Sequence, residues 1–98
     1  MSDHVRVIYK YEVPLKYEFT LSLPAGSFIR LLGVQGTERT ICVWVEQDVP
    51  ISSTEMVTRK FNFYGTGDLL NMEPHTHVGS IIEGVNGDRV WHLYEDHS

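Results

Sequence analysis

Hydrophobic and polar residues alternate with a period of two along most of the chain. Val5, Val7, Tyr9, Tyr11 and Val13 fall on one face of an extended segment, with Arg6, Lys10 and Glu12 on the other, the pattern of a strand buried on one side. Pro14 interrupts the run, and Tyr17, Phe19, Leu21 and Leu23 resume it against Glu18, Thr20 and Ser22. The two segments therefore predict a hairpin with the proline at its bend. Leu23-Pro24-Ala25-Gly26 carries turn chemistry, because proline pre-sets one backbone angle and glycine accepts a positive one. A third strand is expected from Ser27 to Val34, then a turn over Gln35–Arg39, then a fourth strand marked by Ile41, Val43 and Val45 that also carries Cys42 and Trp44.

Asp48 to Glu55, with Pro50 and Ser52-Ser53-Thr54, has the composition of a flexible loop. The fifth strand runs from Met56 to Tyr64, apolar at Val57, Phe61 and Phe63 and polar at Thr58, Lys60 and Asn62. Gly65-Thr66-Gly67 closes it, and Asp68 to Pro74 has room for one helical turn. A strand from His77 to Ile82, the Asn86-Gly87 turn and a closing strand from Arg89 to Tyr94 complete the pattern. Regularly spaced short strands separated by turn residues predict an all-β fold, a single antiparallel β-sandwich or small barrel of about seven strands.

Composition narrows this picture. At 98 residues, 42% hydrophobic and 21% charged, the chain supplies one core and one domain, residues 1–98. Two Trp, five Tyr and four Phe provide apolar area that disordered segments lack. The formal net charge of −5 opposes binding of bulk nucleic acid through a positive field. The single cysteine forms no internal disulfide, Met1-Ser2-Asp3-His4 resembles no secretory leader, and no apolar run reaches the roughly 20 residues that span a bilayer. A cytoplasmic protein without membrane contact is the expectation.

The order of several short segments resembles a family of uncharacterised small domains from phages and prophages. These segments are the opening Ile8-Tyr9-Lys10-Tyr11, Leu23-Pro24-Ala25-Gly26 before a strand, the Cys42 to Asp48 strand with its acidic end, Gly65-Thr66-Gly67 and Val90-Trp91-His92. The resemblance spans nearly the whole chain and implies a phage-type origin; it carries no activity over to any residue. The link after Gly67, with His75-Thr76-His77, departs from the family pattern.

Few constellations suit catalysis. His75 and His77 share a strand face at about 7 Å, a spacing that suits one divalent ion, and His92 is the only third ligand in view. With Gly67 upstream and Glu83 downstream the segment resembles the first metal motif of cupins, at longer spacings and without the second motif. Cys42 lacks a basic neighbour and reads as an inert strand thiol. Ser52 and Ser53 lack nucleophile-elbow glycines, and the glycines match neither phosphate-loop pattern. Trp44 and Trp91 read as core.

Binding is better supplied. Glu46, Asp48 and Glu55 form an acidic group around the loop, while Arg59 and Lys60, next to Phe61-Asn62-Phe63-Tyr64, offer cations beside aromatics. The reading is a phage-type, non-enzymatic binding protein that inhibits or diverts a bacterial host component, a defence system among the targets. It acts stoichiometrically through Glu46, Asp48, Glu55, Arg59, Lys60 and Tyr64, with no cofactor and no metal. A bacterial host protein is the expected partner, and self-association through the edge segment Val5 to Val13 is expected as well. The alternatives are a homo-oligomeric sponge that sequesters a small nucleotide and a small cupin-like metal enzyme using His75 and His77.

Overall fold

The computed structural model describes residues 5–49, 55–70, 74–84, 87 and 89–97. The strands are β1 (Val5–Glu12), β2 (Glu18–Pro24), β3 (Phe28–Gln35), β4 (Thr40–Val49), β5 (Met56–Gly65), β6 (His75–Glu83) and β7 (Arg89–Asp96). They form a three-stranded sheet, β1-β4-β3, and a four-stranded sheet, β2-β5-β7-β6. Every pairing is antiparallel. The two sheets stay separate, so the fold is an open sandwich rather than a closed barrel, and the described residues contain no helix.

Strand faces follow from the two-residue repeat. Ile41, Val43, Val45 and Gln47 on β4 look inward and meet Phe19 and Leu23 of β2, Phe61 and Phe63 of β5, Ile81 of β6 and Leu93 of β7 in one core. Burying such side chains is the main stabilising term, at about 1.5–3 kcal/mol each. The sheets approach most closely at β3 and β6, where a Cβ added to Gly79 would lie 3.2 Å from Leu32 Cβ. Glycine is therefore what lets the two backbones come together here.

Both joint strands carry a register shift, between Ile29 and Leu31 in β3 and between His77 and Gly79 in β6. A bulge turns the residues beyond it to the opposite face. Phe28 and Leu31 thus share the outer face of β3, as His77 and Ser80 share that of β6, although each pair is three positions apart.

The expected hairpin of the first two strands does not form: β1 pairs with β4, and β2 with β5. Val13 still donates to Ile41 O at 3.0 Å, continuing the first sheet, whereas Tyr17 O already accepts from Phe63 N at 3.1 Å in the second. Pro14, Leu15 and Lys16 therefore cross between sheets, and Pro14 ends the ladder because it has no N–H to donate. The β3–β4 and β6–β7 hairpins form as expected. Asn86 lies outside the described residues, but Gly87 has φ 64° and its N–H reaches Gly84 O at 3.1 Å. Of the expected loop, Asp48 belongs to β4 and residues 50–54 lie outside the described residues; of the expected helical turn, residues 68–70 are not helical and 71–73 lie outside.

The Cα extents are 50 × 35 × 17 Å, two layers thick and broad in plan. The four-stranded sheet covers β1 only in part: Tyr11 packs against the core, but Tyr9 is 45% exposed and Val5 is exposed as well, although all three sit on the inward face.

Candidate functional site

Two arginines frame the turn that joins β2 to β3. On its outer side Arg6 Nη2 donates to Gly26 O at 3.2 Å; between the sheets Arg59 Nη1 donates to Ser27 O at 2.9 Å. Ala25 N reaches Glu55 O at 2.7 Å, which fastens the same turn to the start of β5. Five of the six expected binding residues (Glu46, Asp48, Glu55, Arg59 and Lys60) therefore gather around this turn, on different surfaces.

The first surface is the outer face of the three-stranded sheet. Register places Arg6 opposite Asp48, Ile8 and Phe28 on either side of Glu46, and Lys10 and Leu31 on either side of Trp44. Arg6 Nε is 2.7 Å from Glu46 Oε2 and its Nη1 is 2.6 Å from Asp48 Oδ1, while Arg30 Nε holds the other Glu46 oxygen at 2.9 Å. Both guanidiniums lie over the Phe28 ring, at 5.6 Å for Arg6 and 4.8 Å for Arg30. Beside this network Ile8, Phe28 and Leu31 are 57, 53 and 57% exposed. Trp44 lies over Gly33, which has no side chain to displace the indole. Two of the three expected acidic residues, Glu46 and Asp48, thus belong to a charge-balanced group, two carboxylates against two guanidiniums around an aromatic ring, while Glu55 stands apart from it.

The electrostatics follow from these contacts. Hydrogen bonds from Arg30 first and Arg6 second hold the Glu46 carboxyl below its ordinary value of 4.5, and the bond to Glu46 raises Arg6. A depressed carboxylate contributes when ionised and loses that contribution as pH falls through the lowered value. Glu46 is therefore expected to remain mostly ionised at pH 4.5 and to release the two arginines only in more acidic solution. A carbon-detected NMR titration of the Glu46 carboxyl checks this: its midpoint should lie below 4.5 and rise toward that value in Arg30→Ala.

The second surface is a cleft of about 470 Å³ between the turn and the end of β7, lined by Gly26, Val57, Lys60, Asp96 and His97 among others. Arg59 borders it but is engaged, with Nε and Nη2 each 2.6 Å from a Glu95 oxygen in a largely buried bidentate pair. Lys60 is exposed at the rim. Tyr64 is only 1% exposed; it lies edge-on to Tyr17 and Tyr94 at 5.4 and 5.8 Å, so its ring serves packing rather than surface contact.

His75, His77 and His92 lie elsewhere, on the outer face of the four-stranded sheet. His77 Nε2 is 3.2 Å from Ser80 Oγ, Ser80 Oγ is 2.7 Å from His92 Nδ1, and His92 Nε2 is 3.0 Å from Thr66 Oγ1. A serine hydroxyl thus separates His77 from His92, and the described residues contain no group of three His, Cys, Asp or Glu side chains placed for a metal. Cys42 is buried, with its thiol 3.7 Å from Thr40 O.

Seven antiparallel strands in two sheets, with a mixed aromatic and charged outer face, define a small all-β domain. The chain belongs to the family described as a domain of unknown function, DUF7352, whose family model matches residues 4–98. No curated protein and no solved structure matches it.

Arg6, Phe28, Arg30 and Leu31 were not among the residues singled out by sequence. Arg6 and Ile8 stand on the polar side of an alternating strand, and the bulge that aligns Phe28 with Leu31 leaves no mark in a period-two reading. The only signal was the shared face of Trp44 and Glu46.

Proposed function

We propose that this chain is a phage-type, non-enzymatic binding protein that attaches stoichiometrically to a bacterial host protein in the cytoplasm and inhibits or diverts it. The observation that carries this reading is the outer face of the three-stranded sheet, where Phe28 lies under Arg6 and Arg30 while Ile8, Leu31 and Trp44 offer apolar area beside it. Aromatic and arginine side chains held rigidly around an apolar centre supply most of the energy at protein interfaces. Because the local charges balance, the favoured partner surface is an apolar one with a mixed-charge rim rather than a uniformly basic one. The phage-type origin rests on the order of segments along the chain.

The cleft gives less support to a nucleotide sponge, since Lys60 and His97 face Glu95 and Asp96 there. A metal enzyme built on His75 and His77 draws less still, with His77 and His92 both bonded to Ser80.

Retrieval of tagged protein from bacteria, followed by native mass spectrometry, tests the proposal. A complex of fixed stoichiometry should appear, and Leu31→Asp and Phe28→Ala should each weaken it by about tenfold or more, the effect of a central contact. Lys60→Ala, on the other sheet, should leave it intact. Full retention by both outer-face variants would place the contact elsewhere, and turnover of a small molecule would overturn the non-enzymatic reading.

A further inference from the structure

Strand β1 closes one side of the three-stranded sheet, and among the described residues nothing pairs with its free edge. We infer that this edge pairs with β1 of a second copy, antiparallel, about a two-fold axis through Tyr9 that runs perpendicular to the sheet. This interface does not rest on the proposed host contact, although Arg6 and Ile8 border both.

The backbone fixes which residues are available. Val13 bonds to Ile41, its register partner on β4. Antiparallel strands alternate between bonded and non-bonded pairs, so the odd residues Val5, Val7, Tyr9 and Tyr11 also direct their N–H and C=O groups toward β4. Arg6, Ile8, Lys10 and Glu12 direct theirs outward. A two-fold axis perpendicular to the sheet keeps outer face on outer face, so each residue opposes one of the same parity and the axis passes through a residue.

Charge then selects the residue. With the axis on Ile8, Arg6 faces Lys10 of the second copy twice, and like charges directly opposite are destabilising. With the axis on Tyr9, Arg6 faces Glu12 twice and Ile8 faces Lys10 twice. In that register all four outward residues form bonded pairs, giving about eight backbone hydrogen bonds. An axis on Tyr11 also opposes Lys10 and Glu12 but shortens the overlap by four residues. On the inward face the Tyr9 register sets Val7 against Tyr11, Val5 against Val13 and Tyr9 against its own copy, combinations of aromatic and β-branched side chains that favour pairing. Those inward positions include Val5 and Tyr9, which the second sheet leaves exposed.

Light scattering on the full chain at micromolar concentrations is expected to give twice 11.3 kDa. Ile8→Pro removes an outward N–H that β4 does not use, a substitution edge strands accept, and should yield a folded monomer. Tyr9→Cys places two thiols at a non-bonded pair whose Cα atoms are about 4.5 Å apart. Under mild oxidation it should convert largely to a disulfide-linked dimer, with Cys42 buried and silent. Ile8→Cys should not cross-link. A wild-type mass of 11.3 kDa at several hundred micromolar protein, where the pairing is still expected, would overturn the inference. Preferential cross-linking of Ile8→Cys would overturn the Tyr9 register.

Discussion

Phe61→Ala is expected to lower the free energy of unfolding by about 3–5 kcal/mol, the range for deleting a buried phenyl ring. Phe61 is fully buried at the middle of β5, the strand that β2 and β7 flank, and its ring stacks on Phe19 at a centroid distance of 5.4 Å. Phe19 and Phe61 are also register partners, so the change takes away one half of a cross-strand contact and leaves a cavity that two ladders prevent from collapsing. A domain of this size holds about 5–15 kcal/mol in total, so the variant should be marginal at 37 °C. Urea denaturation checks it: the midpoint should fall while the slope stays near the wild-type value. Phe61→Leu, which retains most of the volume, should lose much less.

The second large effect is expected at Arg59. Replacing it with Met strips Glu95 of both hydrogen bonds in a site where the two side chains are only 21 and 11% exposed, and it removes the donor to Ser27 O. Breaking one half of a buried pair costs about 3–5 kcal/mol, mostly because the remaining charge stays desolvated. The partial exposure of Arg59 puts the expectation at the lower end, about 3 kcal/mol. Arg59→Met combined with Glu95→Leu should recover most of that loss, since no buried charge is then left alone. Chemical denaturation of the four proteins of this double-mutant cycle measures the coupling; an uncoupled pair would show that the arginine acts through the turn alone.

Each strand was legible from alternation because half of its residues must face a core. Pairing was less so. The alternation of Val5 to Val13 looks the same whether its neighbour is β2 or β4, and only the short crossing at Pro14 to Lys16 decides between them. The Gln35–Arg39 turn and the Gly87 bend, by contrast, join strands that do pair, since their backbone angles reverse the chain within a few residues.

The same limit applies to the site. Glu46 and Asp48 were visible as an acidic pair, but the guanidiniums that neutralise them come from β1 and β3, distant in sequence. Arg59 looked available because Glu95 lies on another strand. Tyr64 looked exposed because it sits on the outer face, where Tyr17 and Tyr94 cover it. Long-range partners, rather than local composition, decide whether a charged or aromatic residue is free to meet a ligand.

The chain holds a single thiol, Cys42, buried on the central strand of the three-stranded sheet and on the face opposite the core. A reagent reaches that sulfur only when the flanking strands or the cover on that face give way. Its labelling rate is therefore a chemical stopwatch for exposure of the central strand β4, and the ratio of that rate to the rate for an open thiol reports the free energy of the opening that exposes it. A partner that grips the outer face, or a copy paired along the edge of β1, would slow the stopwatch without any change in the folded structure.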